Sequence, residues 1–217
     1  MPLLAYCMME AAAGVAKPVA GVGGEKVEEV RDSGLRCFFS RLQSGEELSR
    51  IPAVESALSF HQVLQTLFSQ AGLIPFRFPT VVEDEEALLR FLREHAAVYS
   101  AELGRLRHMA QMEIHIREGR EEASGSLPAS GREYLEGRQK QAAELKAAVE
   151  KLRQAGGPWV REWRQRSSGQ GMRCYALLPR DAVGAFQQAI RAVSQTLPGA
   201  RLSGPWPPAE FVEIKDS

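Results

Sequence analysis

The sequence predicts an α+β protein of two domains, and three observations carry that prediction. Residues 111–204 read in order as strand, helix, strand, strand, helix, strand, the βαββαβ order of a ferredoxin-like sandwich. The first half mixes strand-like alternation with two helical periodicities, in an order that determines no topology. At 217 residues the chain divides near residue 110 into halves that are each large enough for a core of their own. The expected domains are therefore 1–110, mixed α+β with a long helix at about 83–109, and 111–217, a modified ferredoxin-like sandwich closed by the segment GPWPP.

The elements of the first half follow from local pattern. "PLLAYCMME" is a short apolar run, as in a strand buried on both faces. The Gly/Ala-rich stretch 11–24 is a loop, and "VEEVRDSGLRCFFSRL" is two strands turning at residues 32–34. Residues 43–54 read as a loop. From Val54 to Ala71 the spacing is helical, with Leu58, His61, Leu64/Gln65 and Phe68 as the expected apolar stripe and Gly72 as the stop. "LIPFRFPTVV" is a strand whose prolines confine it to a sheet edge. Thr80 and Glu83 have the spacing of a capping box, and the acidic run 83–86 places negative charge where a helix start favours it. The helix that follows shows Leu88, Leu92, Ala96, Tyr99, Leu103, Leu106 and Ala110 on one stripe, with Arg105, Arg107 and His108 towards its end.

In the second half, Met112, Ile114 and Ile116 alternate with Glu113, His115 and Arg117, the period of a strand with one wet face. A polar loop containing Pro128 leads to a helix over "SGREYLEGRQKQAAELKAAVEKLRQAGG", with Glu136 and Lys140 as an i,i+4 pair. "PWVREWRQR" and "MRCYALLP" suit a hairpin turning at residues 168–171, although the first arm is also compatible with a helical turn. Asp181 caps a helix carrying Val183, Phe186, Ile190, Val193 and Leu197, and "ARLSG" is the last strand.

Composition excludes several function classes. The 27 basic and 27 acidic residues balance, which removes the electrostatic argument for nucleic acid or an anionic membrane. Cys7, Cys37 and Cys174 are odd in number and sit in apolar sequence, so they read as buried thiols in a reducing compartment. The apolar N-terminus has no positive charge before it and is interrupted by Glu10, which argues against a signal peptide. No apolar stretch approaches the ~20 residues that span a bilayer. The expected location is the cytoplasm.

Motifs for chemistry are weak. "GVGGEK" at 21–26 is too short for a phosphate loop and has no Ser or Thr after Lys26. The four histidines show no paired metal spacing, no CxxC occurs, and no G-x-S-x-G is present. No catalytic residue, cofactor or metal is expected. "GPWPPAEFV" at 204–212 contains P-x-x-P, but it follows directly on a predicted strand. Its prolines fix an extended backbone at little entropic cost, so Trp206 and Phe211 are held against the domain. Two such rings bury on the order of 150–250 Å² each.

The blocks "LIPFRFPTVVEDEEALLRFL", "GREYLEGR", "YALLPRDAVGAFQQAI" and "GPWPPAEFV" occur in an order and spacing that resemble the gas vesicle protein GvpL/GvpF family, over about residues 55–213. Pro79 stands where the family usually has Gly, and Ala209 where it usually has Tyr. The resemblance implies two α+β domains and a non-enzymatic accessory protein that helps to assemble the gas vesicle shell. Its implied partners are the small hydrophobic shell protein and other accessory proteins, with its place in the finished vesicle left open. It carries over Arg77, Phe78, Gly204, Pro205, Trp206, Pro207, Pro208 and Phe211 as motif positions, serving the fold or a partner. The alternative from another class is a ferredoxin-like small-ligand binder or cofactor-free oxygenase, for which His115 and Tyr175 are the residues to inspect.

Overall fold

A computed structural model of the chain describes residues 1–43, 52–117, 131–168, 171–197 and 199–214. The expected loop around 44–51, the polar loop with Pro128 and the hairpin tip at 169 and 170 lie outside the described residues. Two compact units form: Met1–Met109 together with Trp206–Ser217, and Ala110–Pro205. The division expected from sequence is thus corrected at its far end. The closing segment groups with the first unit, because Phe211 is fully buried and Val212 and Ile214 pack on that unit's core.

The first unit contains strands β1 (Leu3–Glu10), β2 (Val27–Asp32), β3 (Leu35–Arg41) and β4 (Ile74–Val82), with helices α1 (Ala53–Phe68) and α2 (Glu85–Leu106). The strands form an antiparallel sheet in the order β2-β3-β1-β4. Side chains of α2 (Leu88, Leu92, Tyr99 and Leu103) join Leu3, Ala5, Met8, Leu35, Cys37 and Phe39 in one core. On α1, Phe60 lies 5.1 Å from Tyr6 of β1. Both kinds of face along β1 therefore have a covering helix, which explains an apolar run without polar alternation.

Strand β4 ends the sheet order, as its prolines require. Its pairing with β1 runs through Ala5↔Thr80 and resumes at Cys7↔Pro75, so residues 76–79 stand opposite Tyr6 alone. This bulge sends two neighbouring aromatics to different partners. Phe76 lies 6.2 Å from Phe91 and 6.4 Å from Tyr99 of α2, whereas Phe78 lies 5.2 Å from Phe60 of α1.

Three local expectations are corrected. Helix α2 is capped by Asp84, whose carboxylate accepts from the Ala87 amide at 2.8 Å. Thr80 remains in β4 and donates its hydroxyl to the Arg77 carbonyl, so no capping box forms. Ala110 is buried as part of the next strand rather than of the helix. On α1 the buried stripe is Phe60, Val63, Leu64, Leu67 and Phe68, and Leu58 is 58% exposed. The large Phe60 ring takes the core-facing position between Tyr6 and Phe78, because aromatic area dominates such a choice.

The second unit holds β5 (Met109–Arg117), α3 (Gly131–Gly156), β6 (Glu162–Ser168), β7 (Gly171–Pro179), α4 (Val183–Ser194) and β8 (Ala200–Trp206). The sheet order is β6-β7-β5-β8, which is the ferredoxin-like arrangement. Val149 and Leu152 of α3 and Phe186 and Ile190 of α4 pack with Met112, Ile114, Ile116, Cys174, Ala176 and Leu178. Residues 157–159 make a 3-10 turn before β6, so both readings of "PWVREWRQR" hold in part. Asp181 lies inside a second 3-10 turn, and α4 starts after it with no side-chain cap.

Renumbered within each unit, both sheets share the order second-third-first-fourth. In the first unit no helix joins β1 to β2. Loop 11–26 makes that connection and packs its 3-10 turn at Val22–Gly24 against α1.

Candidate functional site

The residues singled out by the sequence fall into two groups, which α1 and the closing segment bring together. Arg77 is exposed in the bulge of β4, and Phe78 beside it is half-buried on Phe60. Gly204 has φ +112, a region that side-chain-bearing residues avoid, and a Cβ there would meet the Gln111 carbonyl oxygen at 2.9 Å. A motif glycine is thus required by both backbone angle and space. Pro205 is exposed, and Pro207 and Pro208 are buried.

Trp206 sets its indole at 4.7 Å from the imidazole of His61 in an edge-on arrangement. Phe60 and His61 are consecutive, so the two motif blocks meet on adjacent residues of one helix. Burial holds the His61 imidazole below its ordinary pKa, because the charged form loses hydration.

Beyond Trp206 the chain is fastened to the end of α2. Arg105 donates to the Phe211 carbonyl oxygen and also pairs with Glu102 at 2.8 Å. The Glu102 carboxylate in turn accepts from the Glu213 amide at 3.1 Å. A 3-10 turn at Ala209–Phe211 drives Phe211 into the core. Sequence reasoning found Trp206 and Phe211 but missed His61, Glu102 and Arg105 as their receptors. Those three lie on helices far away in sequence, with no local signal linking them to the tail.

The remaining candidates are accounted for by structural duties. In the glycine-rich loop, the amides of Gly21, Gly24 and Glu25 bond to loop carbonyls, and the Val22 amide bonds to the Tyr6 hydroxyl at 3.0 Å. Those donors are consumed within the protein and do not converge on an anion. Ser40 donates its hydroxyl proton to the Lys26 carbonyl at 3.0 Å, so Tyr6 donates to Ser40 across 2.9 Å. Arg36, 3% exposed, donates to the carbonyls of Ala13 and Val15 and to the Glu29 carboxylate. Burial works to raise the Glu29 carboxyl, but Arg36, Arg31 and Lys17 together outweigh it and hold the group below the usual carboxylate range. Within the acidic run, Asp84 caps α2 and Glu85 pairs with Arg41.

His95 stacks on Phe91 at 4.3 Å and its Nδ1 lies 3.0 Å from the Phe91 carbonyl. His115 is half-buried on β5 and Tyr175 is buried on β7; the charged pair between those strands is Glu113 with Arg173, at 3.3 Å. Among the described residues, no group of three or more His, Cys, Asp or Glu is placed to hold a metal ion. Among the same residues, no helix is long and apolar enough to cross a membrane.

Known proteins share the fold of this chain. The crystal structure of the gas vesicle protein GvpF from Microcystis aeruginosa superimposes with a TM-score of 0.77 at 15% identity, covering 98% of this chain and 99% of that one. The crystal structure of GvpF from Anabaena sp. PCC7120 gives a TM-score of 0.74 at 15% identity, covering 99% of this chain and 97% of that one. No curated protein matches the sequence. The family model described as gas vesicle synthesis protein GvpL/GvpF matches residues 2–213. With nearly its whole length matched, this chain belongs to the GvpL/GvpF family of gas vesicle synthesis proteins.

Proposed function

We propose that this chain is a non-enzymatic accessory protein that acts in the cytoplasm and at the gas vesicle while the shell is being built. It binds the small hydrophobic shell protein and works alongside other accessory proteins. The observation that carries this reading is the family match across residues 2–213.

Physical chemistry supplies the need for such a protein. A shell subunit exposes apolar surface and unpaired strand edges before it is assembled, and both promote aggregation. Strand β4 lies at the end of its sheet and is the edge we assign to receiving the shell subunit by strand addition. Pro75 and Pro79 lack amide protons, so pairing along β4 is confined to short stretches, which favours a transient hold over permanent incorporation. In this reading Arg77 meets the partner directly, while Phe78, Gly204, Pro207, Pro208, Trp206 and Phe211 serve the fold and Pro205 continues the track between them.

The test is co-purification of tagged protein with the shell subunit under conditions that keep both in solution. Retention of the shell subunit, weakened by Val81→Pro on β4, is expected. Failure to retain it at all would sink the proposal.

A further inference from the structure

The closing segment touches both helices that cover the first unit's sheet. Trp206 meets His61 on α1, while Arg105 and Glu102 of α2 hold the Phe211 carbonyl and the Glu213 amide. The two helices lie on opposite faces: Tyr6 of β1 packs on Phe60 of α1, and its neighbours Leu3 and Ala5 join the core made with α2. Residues 206–211 therefore pass from one face of the sheet to the other.

Helical periodicity fixes the side on which they pass. Just beyond α1, Gln70 exchanges hydrogen bonds of 2.8 and 3.1 Å with Ala16, and so holds the loop that Arg36 of β3 also fastens. His61 lies about two and a half turns before Gln70, on the opposite flank of the helix. On α2, Arg93 pairs with Asp32 of β2 at 2.8 Å, and Glu102 lies about two and a half turns further on. Phe91, about three turns before Glu102 and on its flank, meets Phe76 of β4 at 6.2 Å. With the strand order β2-β3-β1-β4, both contacts of the closing segment face the β4 edge. Exposure along the strand agrees: Ile74 is buried, Pro75 and Phe76 are half-buried, and Arg77, Pro79 and Val81 are exposed. The segment thus lies beside the first half of β4. Pro207 and Pro208, buried within it, have no amide proton, so at these residues it covers the edge without extending the ladder.

We propose that the closing segment regulates the β4 site. Seated, it shields the first half of the edge and confines an incoming strand of the shell subunit to the second half. Lifted, it opens the whole strand, and the hold on the shell subunit tightens. This regulation rests on the strand-addition reading above. An incoming strand supplies the amide donors that Pro207 and Pro208 lack, so it gains edge hydrogen bonds in displacing them. Burial of Phe211 keeps the open form rare in the parent chain, which lowers the apparent affinity for any partner that needs the full edge.

Two full-length variants loosen the segment at opposite ends: Trp206→Ala at α1 and Arg105→Ala at α2. Hydrogen exchange read by mass spectrometry, with no shell subunit present, should quicken over residues 74–77 in both, while the β1–β3 ladder stays as protected as in the parent. Each tagged variant should bind the shell subunit about fivefold or more tightly than the parent does. An excess of a synthetic peptide of residues 204–214 should return that binding towards the parent's level, and the same peptide carrying Phe211→Ala should not. Unchanged exchange over residues 74–77, equal action of the two peptides, or faster exchange with no gain in binding overturns the proposal and leaves the shell-protein reading standing. If no chain binds the shell subunit, the parent included, strand addition fails and this regulation fails with it. Should one variant lose protection throughout the sheet, the other decides.

Discussion

The imidazole of His61 stands edge-on to the indole of Trp206 with ring centroids 4.7 Å apart, and this contact joins the closing segment to the helix that also supports Phe78. Burial favours the neutral imidazole there. In the unfolded chain the histidine titrates at about 6.5, above its folded value. Between those two values the unfolded state binds more protons, so stability is full above about pH 6.5 and is lost as pH falls towards the folded pKa. The urea midpoint should therefore fall from about pH 7.5 to about pH 5.5, and His61→Gln should flatten that dependence. A His61→Gln variant with the parent's full slope would show that another group governs it.

Phe211 tests whether the tail is structural. Its ring is fully buried in the first unit, and truncation of such a ring costs about 3–5 kcal/mol. Phe211→Ala should lower the unfolding free energy by that amount in urea titrations. Arg105→Ala, which removes the donor to the Phe211 carbonyl, should cost about 1–3 kcal/mol. A closing segment that merely rests on the surface would give both variants the parent's midpoint.

Legibility followed the range of the determining interactions. The second unit was readable because each element carries its own period: Met112, Ile114 and Ile116 alternate, and Phe186 and Ile190 recur at helical spacing. The β2–β3 hairpin was readable because Ser33 and Gly34 take φ of 50 and 79, which marks a turn locally. Long-range competition was not readable. Leu58 and Phe60 both fit an apolar helix face, and only the positions of Tyr6 and Phe78 give the core to Phe60. Likewise Thr80 had the right spacing to cap α2, but pairing with Ala5 kept it in the sheet and left the duty to Asp84. At the candidate site the tail's aromatics were legible from their own stiffness. Their receptors were not, because the contacts of Trp206 with His61 and of Phe211 with Arg105 join residues more than a hundred positions apart.

Gly21 offers a test of the loop that joins β1 to β2. Its φ of −108 suits any residue, so space alone decides the outcome. A Cβ would lie 2.1 Å from the Tyr6 hydroxyl and 2.7 Å from the Ser40 hydroxyl, breaking a buried hydrogen-bond chain. Gly21→Ala should destabilise by about 1–3 kcal/mol, whereas Gly14→Ala, with nothing within 4 Å, should be near neutral. Equal midpoints for the two variants in thermal or urea unfolding would contradict the packing described.

The cysteines report each unit separately. All three are free and buried, and burial pushes their thiols up, Cys174 to about 11 and Cys7 and Cys37 further. At about pH 8 the thiolate fraction of Cys174 is then on the order of one in a thousand, and reagent access is blocked as well. Native protein should react with a maleimide far more slowly than unfolded protein, in which all three thiols become available. Cys7 and Cys37 share the first unit's sheet, on β1 and β3, and Cys174 lies in the second unit's core. Mass spectrometry of peptides labelled at increasing urea should therefore show Cys7 and Cys37 becoming reactive together, with Cys174 following its own midpoint. Separate midpoints for Cys7 and Cys37 would mean that β1 and β3 part before the first unit unfolds, against the shared core that α2 makes with both strands.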